Sequence, residues 1–227
     1  MKTSFTWYGH ATLGVQTGEY RLLIDPFFSG NTQTKQDPGQ IDADYILITH
    51  GHGDHVGDAP QIARRTGATI IANAEISTWF AKQGFKTHAQ HLGGGFPYPF
   101  GYLKMTMALH GSALPDGSYG GNPGGFLLTT LDGKKLYLAG DTGLFGDMQL
   151  IGDEGLDLAV IPIGDNYTMG PDDALRAVRL LRPKVVVPIH FNTFPVIQQD
   201  AAAWVERVNT DTTSKAILLQ PGESLEV

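Results

Sequence analysis

Short apolar stretches in the first half of the chain predict strands that are followed by alternating helices and strands. A Thr-Gly-Glu turn at residues 17–19 predicts a hairpin between the second and third strands. The run Tyr45–Thr49 is almost continuously apolar, which is typical of a strand buried on both faces. Helices are predicted where a glycine ends a longer run. The predicted strands are Ser4–Tyr8, Leu13–Thr17, Tyr20–Ile24, Tyr45–Thr49 and Thr69–Ala72, and the predicted helices are Val56–Thr66 and Glu75–Gln83.

The second half of the chain repeats this order of elements. Its predicted strands are Lys104–Leu109, Gly125–Leu131, Lys135–Ala139, Leu158–Ile163, Lys184–Ile189 and Ala216–Leu219, and its predicted helices are Asp172–Leu181 and Asp200–Val208. Two mixed sheets packed face to face, with helices outside, would satisfy the pattern, although the pattern alone leaves other α/β arrangements open. The length of 227 residues fits a single domain spanning residues 1–227.

Two segments rich in glycine, proline and aromatic residues interrupt the pattern. Residues 92–101 and 111–125 are predicted to be loops beside a pocket, with ordinary surface loops as the alternative. Aromatic and apolar residues in these and later segments could line a substrate entrance, but core packing or an oligomer interface would explain them equally well. The candidates are Phe96, Tyr98, Phe100, Tyr119, Tyr167 and Met169.

Composition narrows the chemistry and the partners. The chain has no cysteine, so any metal ion must be held by imidazole and carboxylate groups. The net charge of −7, without a cluster of Lys or Arg, argues against binding to nucleic acid or to an anionic membrane. Neither a signal-peptide pattern nor an apolar run of about 20 residues is visible. We therefore expect a cytoplasmic protein that acts on a small molecule, with a homo-oligomer left open.

The densest chemical signal is the segment His50-Gly51-His52-Gly53-Asp54-His55, directly after the predicted buried strand. Four potential ligands in six residues cannot all be core residues, because unpaired polar groups are costly to bury. The two glycines would allow a tight turn and a close approach of the backbone to an ion. The alternative is an exposed histidine-rich turn that binds transition metals only adventitiously.

Three later residues extend this signal. His110, Asp141 and His190 each follow a predicted strand. Sites in α/β sheets gather beyond the carboxyl ends of strands, so we expect these side chains to meet the first cluster. Each residue taken singly could be a hydrogen-bonded core histidine or a turn-capping aspartate. Their shared placement favours a metal site.

These motifs resemble the metallo-β-lactamase superfamily, whose signature is His-x-His-x-Asp-His followed by a later His, Asp and His. The resemblance covers nearly the whole chain and is strongest to a branch of metal-dependent hydrolases related to L-ascorbate-6-phosphate lactonase. It implies a four-layer αββα sandwich. It also implies one metal ion on His50, His52 and His110, a second on Asp54, His55 and His190, and Asp141 as the bridge. The supporting segments are Gly9-His10-Ala11, Ile24-Asp25-Pro26-Phe27, Pro162-Ile163-Gly164, Tyr167-Thr168-Met169-Gly170 and Pro188-Ile189-His190-Phe191.

The function that this resemblance implies is hydrolysis of an ester, lactone or phosphoester by a hydroxide held between two divalent ions. Zinc is the first expectation and manganese the second, while nickel and iron(II) also suit such ligands. Residual positive charge would favour an anionic substrate. Asp54 would be the catalytic residue that handles the leaving-group proton. The lack of cysteine argues against antibiotic hydrolysis, and no basic RNA-binding insertion is visible.

Two further residues are candidates for supporting roles. His10 could face the pocket and contact substrate, or it could be a structural histidine. Asp25 could support a ligand histidine, or it could simply form the turn before Pro26. Two rival functions also stand beside hydrolysis. One is a metal-binding or sensing protein without turnover, and the other is a nuclease, which would require a basic groove.

Overall fold

The computed structural model describes residues 2–227, which form two seven-stranded sheets. The strands of the first sheet are β1 Ser4–Trp7, β2 Leu13–Thr17, β3 Tyr20–Ile24, β4 Tyr45–Leu47, β5 Thr69–Asn73, β6 Thr87–Gln90 and β14 Ser224–Glu226. The strands of the second sheet are β7 Gly95–Tyr98, β8 Gly101–Met107, β9 Gly124–Thr130, β10 Lys135–Leu138, β11 Leu158–Pro162, β12 Val185–Ile189 and β13 Lys215–Ala216. The helices are α1 Gly53–Val56, α2 Ala59–Thr66, α3 Ala74–Ala81, α4 Met148–Gly152, α5 Pro171–Leu181 and α6 Ala201–Asp211, with short 3-10 turns at Pro38–Gln40 and Pro195–Ile197.

The strand order repeats between the two sheets. The first sheet runs β14-β1-β2-β3-β4-β5-β6, and the second runs β13-β12-β11-β10-β9-β8-β7. In each, antiparallel strands lead into parallel strands that are joined through helices. Both sheets are therefore mixed, which is the arrangement that the resemblance implied and that the sequence pattern allowed.

Two hydrophobic clusters divide the molecule into four layers. One cluster joins the facing sides of both sheets and continues beneath α5 and α6. The other lies between the first sheet and helices α2 and α3. Strand β3 contributes to both, because Leu22 and Ile24 point between the sheets whereas Leu23 points toward the helices. The order helix, sheet, sheet, helix is the αββα sandwich that the resemblance implied.

Strand direction brings the carboxyl ends of six strands, three from each sheet, to one side of the sandwich. In the first sheet β1, β3 and β4 run the same way, because β1 and β3 are each antiparallel to β2 and β4 is parallel to β3. In the second sheet β8, β10 and β12 likewise share one direction. The carboxyl ends of these strands carry the residues that the sequence singled out.

The predicted helix Val56–Thr66 is wrong at its start. The chain instead forms the single turn α1 and begins again at Ala59. Between them Gly57 adopts φ 31° and ψ −116°, and the Asp58 carboxylate accepts the amide hydrogens of Phe28 and Ser29. These contacts anchor the turn that follows β3, so tertiary contacts break a run that local propensity would continue.

Other boundaries also differ from the prediction. Residues 92–101 are not a plain loop, because Gly95–Tyr98 pairs with β8 as an edge hairpin. The predicted last strand Ala216–Leu219 is wrong, since β13 ends at Ala216. Strands β6 and β14 and helix α4 were not predicted at all. No helix among residues 2–227 is long and apolar enough to cross a membrane.

Gly57 generates a test of this arrangement. A Cβ at this position would collide with the Pro26 carbonyl oxygen, whereas a Cβ at Gly67, which is also left-handed at φ +74°, would meet open space. Gly57→Ala should therefore lower the free energy of unfolding by about 1 to 3 kcal/mol more than the matched control Gly67→Ala. Urea unfolding of both variants measures the difference, and equal losses would contradict the proposed crowding.

Candidate metal centre

The first cluster consists of three histidines from two segments. His50 and His52 follow β4, and His110 follows β8 after two further residues. The Nδ1 atom of His52 lies 3.0 Å from Nε2 of His50 and 3.2 Å from Nε2 of His110. Two nitrogens bound to one zinc ion at a tetrahedral angle lie about 3.3 Å apart. The three nitrogens thus have the spacing of ligands that share one ion.

Backbone contacts between segments hold this cluster together. The amide of Gly51 donates to the Ser112 hydroxyl, which donates in turn to the Gly120 carbonyl oxygen. A side chain on Gly51 would press against the backbone of Ser112 and Ala113. Gly51 therefore permits close approach of the 111–125 loop. Neither glycine of the motif has a positive φ, so close packing, and not a left-handed backbone, is what requires glycine at position 51.

The second cluster combines His10, Asp54, His55 and His190, whose ligand atoms all lie within 4.8 Å of one another. Asp54 and His55 belong to the one-turn helix α1, and His190 directly follows β12. His10 was a tentative candidate in the sequence, yet its Nε2 lies 3.0 Å from Asp54 Oδ2. The structure therefore brings it into direct contact with the cluster.

Asp141 lies between the two clusters. Its Oδ2 atom is 3.0 Å from Nε2 of His190, 3.4 Å from Nε2 of His55 and 3.6 Å from Nε2 of His110. The side chain is almost fully buried. Burial alone would raise the pKa of Asp141, but the neighbouring histidines hold it well below its usual value. A single ionised carboxylate thus faces histidines of both clusters.

Asp25 supports the centre from behind. Its carboxylate accepts the Thr49 amide and hydroxyl, and its Oδ2 lies 2.8 Å from Nδ1 of His55. Burial raises the pKa of Asp25, although His55 and Thr49 oppose this. Burial alone would lower the pKa of His55, but Asp141 and Asp25 together raise it well above its usual value. Asp25 thus fixes the His55 ring so that its Nε2 points into the centre.

A polar chain fixes His10 in the same way. Its Nδ1 lies 2.9 Å from the Thr193 hydroxyl, which donates to the Gln33 side-chain oxygen. That oxygen also accepts the His10 amide. The His10 side chain is fully buried, and burial followed by repulsion from His190 lowers its pKa to about 4. Both ring nitrogens of His10 are therefore hydrogen-bonded within the protein itself.

The backbone is strained where the strands deliver these groups. His10, Asp25 and His190 adopt left-handed φ values of 52°, 47° and 56°. Such conformations cost a non-glycine residue on the order of 1 kcal/mol or more each, and they persist where the surrounding structure imposes them. Their concentration at three strand ends around one centre is typical of a functional site.

Several buried polar atoms in the centre form no hydrogen bond among the described residues. They are Nε2 of His55, both ring nitrogens of His190 and Oδ1 of Asp141, although both Nε2 atoms lie near Oδ2 of Asp141. Leaving such atoms unsatisfied is costly, whereas a divalent cation would satisfy those that face the centre. Imidazole and carboxylate are also the donor types expected in a cysteine-free metal site. The residues present therefore fit a metal centre.

An open cavity of about 570 Å³ lies over the two clusters. Its lining comprises Phe27, His52, Gly53, Asp54, His110, Asp141, Tyr167, His190 and Phe194. Asp54 is the carboxylate most accessible from it, with 28% of its side chain exposed, compared with 3% for Asp141. A substrate that enters this cavity would contact residues of both clusters, and Asp54 would be the first carboxylate that it meets.

Comparison with known proteins identifies the family of this chain. Residues 20–191 match the family described as Beta-lactamase superfamily domain. The chain belongs to the metallo-β-lactamase superfamily. A relative from Heliobacterium modesticaldum, named UPF0173 metal-dependent hydrolase, is 47% identical and covers 97% of this chain and 95% of its own length. A relative of the same description from Thermus thermophilus is also 47% identical, with 97% of both chains covered.

A solved structure supports the same assignment for this superfamily member. Igni18, described as a novel metallo hydrolase from the hyperthermophilic archaeon Ignicoccus hospitalis, superimposes with a TM-score of 0.91 at 35% identity. The match covers 100% of this chain and 99% of that one. The fold is the metallo-β-lactamase fold, and the protein is a metal-dependent hydrolase. The closer resemblance to the ascorbate-6-phosphate lactonase branch stays a prediction.

The aromatic residues predicted for the entrance of this hydrolase are mostly elsewhere. Only Tyr167 lines the cavity, while Phe100 and Met169 are core residues. Phe96 and Tyr98 pack around His88 at the edge of the sheets. Tyr119, 69% exposed, is also outside the lining.

Two lining residues of this superfamily member were missed by the sequence reasoning. They are Phe27 and Phe194. Each stands next to a proline and a few residues from a site residue, in Asp25-Pro26-Phe27 and in His190-Phe191-Asn192-Thr193-Phe194-Pro195. That proximity was the available signal, but it does not say which way the rings point.

The low pKa of His10 predicts a pH effect in the metal-free hydrolase. The unfolded chain binds the proton near the usual value of 6.5, but the folded chain binds it only near pH 4. Between these values the unfolded state holds more protons, so stability falls as pH decreases from about 6.5 to about 4. Imidazole NMR of metal-free protein measures the titration directly, and His10→Gln identifies the resonance. A midpoint near 6.5 would contradict the burial argument.

Proposed function

We propose that this protein is a binuclear hydrolase that cleaves an ester, lactone or phosphoester of a small substrate. In this proposal His50, His52 and His110 hold one divalent ion, and Asp54, His55 and His190 hold the other. Asp141 bridges them. The observation that carries the proposal is the convergence of two ligand clusters on one carboxylate, with buried nitrogen and oxygen atoms that form no hydrogen bond.

The choice of metal follows from the ligand types. Five imidazoles and two carboxylates suit zinc, and they also accept manganese, nickel or iron(II). We propose zinc first and manganese second. His50 and His110 suit this role because burial lowers the pKa of both rings, and the opposing effect of Asp141 does not reverse it. Neutral rings keep a lone pair available for an ion.

Divalent ions bound by these residues would supply an activated water as nucleophile and Lewis acidity toward the substrate oxygen. Asp54 would move the proton. Burial alone would raise the pKa of Asp54, but His10 and His55 lower it well below its usual value, so the group is ionised at neutral pH. It can accept the proton from the attacking water and pass it to the leaving oxygen. An ester and water would thus give an acid and an alcohol.

The neighbours of Asp54 set its orientation. His10 Nε2 contacts Oδ2 of Asp54, and the Thr193–Gln33 chain fixes the His10 ring. With Oδ2 held in this way, the carboxylate keeps a defined direction toward the cavity. His10 is accordingly a positioning residue in this proposal, and Asp25 has the same role toward His55.

The function is tested by turnover of generic substrates. Phenyl acetate, a simple lactone and bis(p-nitrophenyl) phosphate should include at least one substrate that the metal-replete protein hydrolyses. Chelation should abolish this turnover and added zinc or manganese should restore it. Full loading with metal without turnover of any ester, lactone or phosphoester would favour the sensing or binding protein instead.

The catalytic role of Asp54 needs a variant whose metal content is measured in parallel. Asp54→Ala should lower kcat by about 100-fold or more, as expected when a proton-transfer group is lost. The control variant Asp132→Ala, which removes a carboxylate outside the cavity, should retain turnover. Unchanged kcat in Asp54→Ala at equal metal content would refute the role.

The two-ion arrangement predicts different losses for ligands of the two clusters. His110→Ala and His190→Ala should each reduce the bound metal from about two ions toward one per chain, because each variant removes one ligand of a different ion. Elemental analysis after dialysis measures the ratio, and anomalous scattering from crystals shows which position is emptied. Loss at the same position in both variants would contradict the assignment.

A further inference from the structure

Three aromatic side chains stand around the cavity over the metal centre. We define Phe27, Tyr167 and Phe194 as the aromatic collar. We propose that the collar binds an aromatic or bulky apolar group, and that the substrate is an uncharged carboxylic ester or lactone bearing such a group. This inference rests on the proposed function and selects among the bond types that the proposal leaves open.

The collar lies directly beside the reacting groups. Phe27 and Phe194 flank the buried His10 ring edge-on, with ring centroids 5.6 Å and 5.3 Å from it. The two phenylalanine centroids are 6.5 Å apart. His10 contacts Asp54, so a group packed against the exposed sides of these rings would lie next to the carboxylate that is proposed to move the proton.

Hydrogen bonds fix the two phenylalanine segments. The Phe27 amide donates to Thr12 Oγ1, and the Phe27 carbonyl oxygen accepts from Asn31. The Phe194 carbonyl oxygen accepts the Ile197 amide, while Thr32 donates to the carbonyl oxygen of Thr193. Because both segments are held before substrate arrives, little ordering would be needed on binding.

Tyr167 forms the exposed side of the collar. Its side chain is 54% exposed, although it lies over an interior site. It follows Asp165 and Asn166, two consecutive non-glycine residues with left-handed φ values of 63° and 53°. Such a conformation is unfavourable, so tertiary contacts must impose it. The Met169 amide, which donates to the Thr142 carbonyl oxygen beside Asp141, is one such contact.

The lining has no basic side chain that would select a phosphorylated substrate. None of the nine lining residues is Lys or Arg, the side chains that bind phosphate through ion pairs and multiple hydrogen bonds. The proposed metal ions, partly neutralised by Asp54 and Asp141, would be the only positive charges that a substrate meets there. The aromatic faces beside them suit an uncharged apolar group, as in most small-molecule pockets.

Binding of two hydroxamates to the metal-replete protein tests the collar without turnover. Acetohydroxamate and benzohydroxamate carry the same metal-binding group, and only the second carries a ring. Burial of a phenyl group predicts that benzohydroxamate binds about tenfold or more tightly. Phe194→Ala and Tyr167→Ala should reduce this preference to less than about threefold, and acetohydroxamate affinity should change by less than about twofold.

Tyr119→Ala is the matched control, because Tyr119 is an exposed tyrosine outside the cavity. It should retain the full preference for benzohydroxamate. Calorimetry measures the affinities, and metal content and thermal unfolding verify that each variant is folded and loaded. Equal affinity of the wild-type protein for both hydroxamates would overturn the proposal, as would a preference that survives in both collar variants.

Turnover separates this inference from the proposed function. The wild-type protein should have a higher kcat/KM for phenyl acetate than for phenyl phosphate, and the collar variants should raise the KM for phenyl acetate more than they change kcat. A higher kcat/KM for phenyl phosphate would refute the substrate class while leaving the hydrolase intact. Absence of turnover with every substrate would refute the proposed hydrolase function. The hydroxamate affinities would still show whether the collar binds an aromatic group.

Discussion

Imidazole and carboxylate groups that are buried without partners destabilise a folded protein, and the centre of this hydrolase buries several of them against one another. His50, His55, His190 and Asp141 are almost fully inaccessible, and some of their polar atoms form no hydrogen bond among the described residues. The surrounding structure must therefore hold these groups in place against their cost, and bound cations would offset that cost. The left-handed backbone at His10 and Asp25, where strands end, is a further cost that the surrounding structure must offset.

The two halves of the sandwich share this task. The first sheet supplies the dense motif after β4, and the second supplies single residues after β8, β10 and β12. Because these strands run the same way within each sheet, packing the sheets face to face makes the ligand-bearing ends meet. Supporting groups then orient the ligands: Asp25 fixes His55, and Thr193 with Gln33 fixes His10. Metal content should depend on the whole sandwich, since no single segment holds a complete ligand set.

Reactivity and selectivity are separated within the cavity. The histidines and carboxylates that would carry out hydrolysis come from strand ends whose neighbours are buried, whereas the aromatic collar comes from turns nearer the surface. Such turns can change while the centre is preserved, because they contribute little to the sheets. A common fold can therefore support different substrates in this superfamily, and family membership alone does not name the bond that is cleaved.

Local patterns in the sequence indicated the seven proposed ligands and were compatible with two packed mixed sheets, while the αββα architecture was implied only by the resemblance to the superfamily. Apolar periodicity specifies most strands, and His50 to His55 is a dense motif that few other structures explain. The break at Gly57, the edge strand at Gly95–Tyr98 and the collar rings of Phe27 and Phe194 were decided only by the tertiary structure. The direction of a side chain, the ring nitrogen that it presents and the strain that it tolerates depend on contacts between residues far apart in the chain, and no local pattern records those contacts.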